Sequence, residues 1–278
     1  MDLMKYTDSP FSYSQLSTFK ACPQKFKLTY LDEIRKPHES IEAFVGKRVH
    51  SVLEWLYSID SSNNSYMTFD RICEEYDNIW RRKWHGKIFI VAPFKNSDYY
   101  YSMGKRCLSN YYKNYGPKFN QPVIGTEVNL SFLIGNYSFR GVIDRLDELD
   151  SGKFMIHDYK TTKNEKTKSQ AINDIQLGLY HMAIEQNYKN VKEISLKWHF
   201  LRQGTEVIIT HNQDGLKKIK KKINGIIEKI IDSLDDMDNF DPKETIKSGF
   251  TNYELCNWCY LWEECSAKKI SNPARIAD

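Results

Sequence analysis

Apolar residues recur at three- and four-residue steps in the outer parts of the chain and alternate with polar ones in the middle. That pattern predicts helices packed around a β-sheet. The clearest helix is 40–59, where Ile41, Phe44, Val45, Val49, Val52, Leu53 and Leu56 share one face. Ahead of it, 11–31 opens on a helix-start signal: Ser12 or Ser14 can cap, Leu16, Phe19 and Phe26 supply the apolar side, and Cys22-Pro23 interrupts the run. Two aromatic-rich helical segments follow, Tyr66–Trp84 and Ser97–Tyr115, with Cys73 and Cys107 read as core residues and Arg81-Arg82-Lys83 as a solvated helix end. Strands are expected at Gln121–Ile134, Tyr137–Leu149 and Lys153–Thr161, then a helix over 169–187 and strands Glu193–Leu201 and Glu206–Thr210. The last helix, Asp214–Leu234, carries a stripe of Leu216, Ile219, Ile223, Ile226, Ile227 and Ile230 and crowds Lys217, Lys218, Lys220, Lys221 and Lys222 into its first half. Such a lysine run reads first as a solvated face and second as a contact for phosphates.

The central pair of strands carries the first candidate chemistry. If this hairpin folds symmetrically about Ser151, Asp144 and Asp158 face each other and Lys160 points to the same side. Opposed carboxylates repel and weaken the pairing. A divalent cation between them removes that penalty and acts as a Lewis acid on a phosphate oxygen, with the Lys160 ammonium placed to orient water or stabilise charge on phosphorus. Spacing alone equally allows an exposed face whose charges meet water, and a bulge at Gly152 would shift the register.

Composition narrows the class. With 278 residues, 41% hydrophobic and 27% charged, the chain suits one generous domain or two small ones around a substantial core. A net charge of +4 is compatible with a polyanionic partner without requiring one. The opening MDLMKYTDSP lacks an apolar signal region and no apolar run is long enough to span a bilayer, so a cytoplasmic protein with no membrane partner is expected. No Gly-x-x-x-x-Gly-Lys phosphate loop is present, which argues against a motor domain. Of six cysteines, Cys256, Cys259 and Cys265 form a Cys-x2-Cys-x5-Cys string that reads as metal ligation rather than a disulfide framework. Zinc and an iron–sulfur cluster both accept such thiolates.

The Gly141-Val-Ile-Asp144 strand, the turn and Asp158-Tyr-Lys160-Thr together resemble the core of the PD-(D/E)XK nucleases, most closely the RecB-like branch. Further matches stand in family order: the Ser12, Ser14, Leu16, Phe19, Cys22, Pro23, Phe26 opening, Gly46-x3-His50, and Gln176-x3-Tyr180. The resemblance implies that His50, Asp144 and Asp158 hold Mg²⁺ or Mn²⁺, with the Tyr159 carbonyl as a further ligand. Taken alone, His50 would read as packed or solvent-facing. Lys160 would position or activate water, and Gln176 and Tyr180 would orient the DNA strand and hold the lysine. Glu127 either supports this site from behind its ligands or is a plain surface glutamate. Cys22 would join Cys256, Cys259 and Cys265 in a 4Fe–4S arrangement similar to that of AddB-type nucleases and CRISPR-associated RecB-like nucleases, stapling the chain ends across a very long loop.

The implied fold is α/β, a restriction-endonuclease-like core of mixed sheet flanked by helices, with an N-terminal helical region and the cluster as staple. One domain over 1–278 is expected, its helical part about 11–116, its catalytic core about 117–235 and its cysteine region 236–278. The implied activity is divalent-metal-dependent hydrolysis of DNA, as a single-strand exonuclease acting from ends in repair, recombination or defence. The alternative is a DNA-binding subunit that guides ends, beside a helicase or within a repair or CRISPR adaptation complex, with little or no catalysis of its own.

Overall fold

A computed structural model of the chain describes residues 9–58, 66–235, 240, 253–265 and 274–277. The expected cysteine region therefore falls partly outside the described residues. Helix α1 (Tyr13–Ala21) starts where the Ser12 hydroxyl accepts the Gln15 N–H at 3.3 Å. It stops at Cys22, whose extended backbone and Sγ, accepting the Lys25 N–H at 3.4 Å, begin α2 (Pro23–Phe26). A π-helical turn, Lys27–Leu31, follows.

A helical layer comprises α3 (Ile41–Ser58), α4 (Phe69–Lys83) and α5 (Ser97–Tyr115). Phe44, Val49, Tyr76, Cys107 and Leu108 form part of its core, whereas Cys73 is only half-buried. Beside this layer lies a small sheet of β1 (Glu39–Ser40), β2 (Ile88–Ile90) and β8 (Arg275–Ile276), in the order β1-β2-β8. The sequence does not announce it, because strands of two and three residues are too short to show a period.

The main sheet runs β3 (Val123–Ile134), β4 (Tyr137–Asp150), β5 (Lys153–Lys160), β6 (Glu193–Phe200), β7 (Thr205–Thr210) in space as in sequence. All neighbours are antiparallel except β5 and β6, which the chain joins by a helical crossover, as parallel strands require. That crossover is two helices, α6 (Lys168–Ile172) and α7 (Ile175–Asn187), where the sequence reading expects one. The break lies at Asp174, whose carboxylate accepts the Gln176 and Leu177 N–H groups at 2.9 and 3.2 Å and so starts a new helix. One sheet face, through Leu146, Ile156, Leu196 and Trp198, packs on α7 and α8 (Gln213–Asp235). The other meets α3 to α5 through Tyr159. The result is a mixed sheet flanked by helices, consistent with a restriction-endonuclease-like core. Among the described residues no helix is long and apolar enough to cross a membrane.

Candidate active site

The β4–β5 ladder pairs Arg145 with His157 through Glu148 with Phe154, a register centred on Ser151, and its one irregularity lies beside the turn between Glu148 and Asp150. The ladder ends one step short of Asp144 and Asp158. Beyond it the Tyr159 N–H is taken not by the β4 backbone but by the Asp144 carboxylate, Oδ2, at 2.7 Å. The Tyr159 carbonyl oxygen lies 3.0 Å from His50 Nε2, and His50 Nδ1 lies 3.4 Å from Asp144 Oδ1. Helix α3 can bring His50 this near because Gly46, one turn earlier, passes close to β5's exit: a Cβ there would stand 3.2 Å from Thr161 Oγ1. Burial by itself lowers the His50 pKa, but the Asp144 carboxylate outweighs it and raises the group to about 9.

Asp158 and Lys160 form the second half of the site. Lys160 Nζ lies 2.6 Å from Asp158 Oδ2 and donates to Gln176 Oε1 at 3.0 Å, while Gln176 Nε2 donates to the Tyr180 hydroxyl at 2.9 Å. The helical spacing of Gln176 and Tyr180 thus becomes a chain of hydrogen bonds ending on the lysine. Burial pulls the Lys160 pKa down, yet the Asp158 carboxylate leaves it above the ordinary range, so this ammonium stays charged. Burial raises Asp158 to about 6, against the pull of Lys160. One ammonium donor is committed to Gln176 and the charge is paired with Asp158, which leaves N–H capacity for a ligand.

Glu127 completes the acid group. On β3, Thr126 pairs with Arg145 and Val128 with Ile143, which sets Glu127 beside Asp144. Its φ of 47° is left-handed, a conformation that costs a non-glycine strand residue about 1 kcal/mol or more. Donor atoms of His50, Glu127 and Asp144 all lie within 4.8 Å of one another. Desolvation and the neighbouring Asp144 charge push the Glu127 pKa up, so a cation here would relieve an existing repulsion. An oxygen-rich set with one imidazole suits Mg²⁺ or Mn²⁺. The compact donor trio therefore contains Glu127, whereas the sequence reading names Asp158, which lies beside Lys160.

Behind the site, on the opposite face of β4 to β7, is a buried polar network that no spacing motif announces. Arg145, fully buried, donates to both Asp147 oxygens at 2.9 and 3.0 Å and to the Tyr111 hydroxyl, with its guanidinium 4.5 Å from the Tyr57 ring centre. His157 Nε2 lies 3.1 Å from Asp147 Oδ2, His157 Nδ1 lies 2.8 Å from His199 Nε2, and His199 Nδ1 lies 3.0 Å from Glu206 Oε1. The same network reaches the Tyr159 hydroxyl, so the residue that holds Asp144 and His50 by its backbone is anchored by its side chain.

The cysteines gather at the end of α1. Burial raises the Cys22 pKa, and the charges of Cys259 and Cys265 raise it further. Burial and the three other thiols bring Cys256 up to about 11. Lys25 lies 5.3 Å from the Tyr260 ring centre and Lys36 pairs with Glu264 at 2.6 Å, so the N-terminal segment docks on the turn that carries Cys259 and Cys265. Thiols this buried are protonated at neutral pH unless a metal takes them as thiolates. An all-cysteine donor set suits iron–sulfur or zinc.

Two solved structures give weak overall likenesses. "Putative exonuclease" from Eubacterium rectale aligns with a TM-score of 0.46 at 12% identity, over 80% of this chain and 82% of that one. SSO0001 aligns with a TM-score of 0.34 at 15% identity, over 92% and 96%. No curated protein sequence matches the chain. The family model that matches is that of the PD-(D/E)XK nuclease superfamily, over residues 10–266. That span takes in α1, every strand of the main sheet, the whole site and Cys265, and on it the chain belongs to the PD-(D/E)XK nuclease superfamily.

Proposed function

We propose that the protein is a RecB-like, divalent-metal-dependent deoxyribonuclease, a single domain that degrades single-stranded DNA from its ends. The observation that carries this reading is the convergence of His50, Glu127, Asp144, Asp158 and Lys160, from one helix and three strands, where the β4–β5 hairpin splays. His50, Asp144 and Glu127 would hold Mg²⁺ or Mn²⁺, with Asp158 and the Tyr159 carbonyl at hand as further oxygen donors. The bound ion supplies Lewis acidity toward a phosphate oxygen and favours ionisation of water.

The remaining chemistry belongs to the chain. Lys160 stays protonated, so it is no general base. A remaining N–H points to a water or a non-bridging phosphate oxygen and offsets the negative charge that grows on phosphorus. Asp158 fixes that ammonium from one side and Gln176 from the other. Tyr180 receives the Gln176 amide and is left with its own hydroxyl proton to donate to the strand. Cys22, Cys256, Cys259 and Cys265 would carry a 4Fe–4S cluster whose role is structural, closing the loop between the chain ends.

Isothermal titration with Mn²⁺ tests the metal reading. Wild-type protein is expected to bind, and Glu127→Gln and Asp144→Asn to bind at least about 10-fold more weakly. Equal binding by all three would remove the site from the mechanism. Anaerobic purification tests the cluster: broad visible absorbance lost in Cys22→Ser supports iron–sulfur, and a colourless protein containing zinc rejects it.

A further inference from the structure

A cleft of about 680 Å³ opens between α1 and the α6–α7 junction, lined among others by Tyr13, Ser17, Lys20, Lys166, Asp174 and Lys222. Tyr13 lines the cleft and packs against the core cluster that includes Tyr180, and its phenol feels Asp174, Lys166 and Lys160. Tyr180 and Lys160 in turn both feel Tyr13. Asp174 is also the residue that starts α7, the helix carrying Gln176 and Tyr180, so the cleft and the catalytic hydrogen-bond chain share one anchor. The cleft therefore adjoins the start of the helix that positions Gln176 and Tyr180.

Its charge balance favours an anion. Three ammonium groups, on Lys20, Lys166 and Lys222, face one carboxylate, on Asp174. That carboxylate is already occupied, by the N–H groups of Gln176 and Leu177 and by Lys166 Nζ at 2.9 Å. Lys20 and Lys222 are exposed, from opposite elements, α1 and α8. The floor adds Leu16, Ala21 and Ile175, an apolar surface that suits a sugar or base edge. A basic groove with an aromatic ring in its wall is the combination that tracks a single strand, the lysines on phosphates and the ring against a base.

We infer that this cleft is the path of the single-stranded DNA flanking the scissile phosphate, with Tyr13 as the stacking residue in its wall and Lys20 and Lys222 on phosphates. The inference rests on the nuclease reading above for its substrate class, and it adds residues which that reading does not use.

The test is fluorescence-anisotropy binding of a labelled oligothymidylate in EDTA, so that no cleavage is needed. Lys20→Glu with Lys222→Glu is compared with Lys217→Glu with Lys221→Glu, an equal charge change on exposed lysines that do not line the cleft. The cleft pair is expected to weaken binding by at least about 10-fold and to flatten the salt dependence by about 1.4 in log–log slope, and the control pair to do much less. Thermal melting confirms that both fold. Crosslinking of a 5-iodouracil-substituted strand is expected to fall on the peptide that contains Tyr13. Equal losses from the two pairs, no loss from the cleft pair, no binding by wild-type protein, or crosslinks only elsewhere would each overturn the inference. If the cleft pair loses binding as expected but wild-type protein never cleaves DNA with metal, the cleft stands and the hydrolytic reading falls.

Discussion

Asp144 accepts the backbone N–H of Tyr159 at 2.7 Å, so the acid on β4 is fixed by the residue between the acid and the lysine on β5. The bond exists because the hairpin splays there and leaves that N–H without a ladder partner. Asp144→Asn keeps an oxygen for Tyr159 and removes one charge. The fold should survive, while DNA cleavage falls by about 100-fold or more. A variant that cleaves at wild-type rate would show that this carboxylate is only a backbone clamp.

Glu127 sets strain against function. Glu127→Gly relieves a left-handed φ and a carboxylate repulsion, so the metal-free protein should gain up to about 1 kcal/mol. Mn²⁺ affinity should drop in the same variant. Chemical denaturation in EDTA reads the first effect and calorimetry the second. A destabilised variant that still binds metal normally would contradict both halves.

Gln176 acts through Lys160. Gln176→Ala frees the ammonium to swing toward Asp158 alone, and kcat should fall by between about 10- and 100-fold with folding unaffected. Gln176→Glu, which keeps the acceptor oxygen, should recover part of that loss. Steady-state kinetics of the two variants separates positioning from simple loss of a DNA contact, which would raise KM instead.

A pair of buried histidines away from the site predicts acid sensitivity. His181 and His211 meet edge-on with ring centres 5.5 Å apart, and burial holds each near a pKa of about 4. Glu185 lies 3.5 Å from His181, and Asp174 acts on His211, without reversing either shift. Their folded-state pKa values lie below the ordinary 6.5, so the unfolded chain takes up protons first. Stability from this source is complete above pH 6.5 and is lost as pH falls toward 4. The two together should cost about 4 kcal/mol between pH 7 and pH 5. His211→Asn should roughly halve that slope in melting experiments; an unchanged slope would place the acid sensitivity elsewhere.

The sequence displays the hairpin plainly because residues at equal distance from a turn face each other, and the ladder keeps that register from Glu148 and Phe154 to Arg145 and His157, opening only at Asp144 and Asp158. Gly46 and His50, or Gln176 and Tyr180, are visible as one-turn pairs on helices, although their meeting with the hairpin is a tertiary fact. Glu127 is harder to place. Strand alternation groups it with Asn129 and Ser131, but its left-handed backbone departs from regular strand geometry. The network of Arg145, Asp147, His157, His199 and Glu206 was accessible in principle, since the register that puts Asp144 and Asp158 on one face puts Arg145 and His157 on the other. The break between α6 and α7 turns on one side chain, Asp174, capping in the middle of a continuous helical pattern, and periodicity does not register such a switch.

The most direct test of the account is a cleavage assay on end-labelled linear single-stranded DNA beside a closed circular strand, in Mn²⁺ or Mg²⁺ against EDTA, with Lys160→Ala in parallel. The account predicts metal-dependent loss of the linear strand, a spared circle, and a rate in the variant lower by about 100- to 1,000-fold. Cleavage of the circle at the same rate would contradict action from ends, and undiminished cleavage by Lys160→Ala would contradict the site itself.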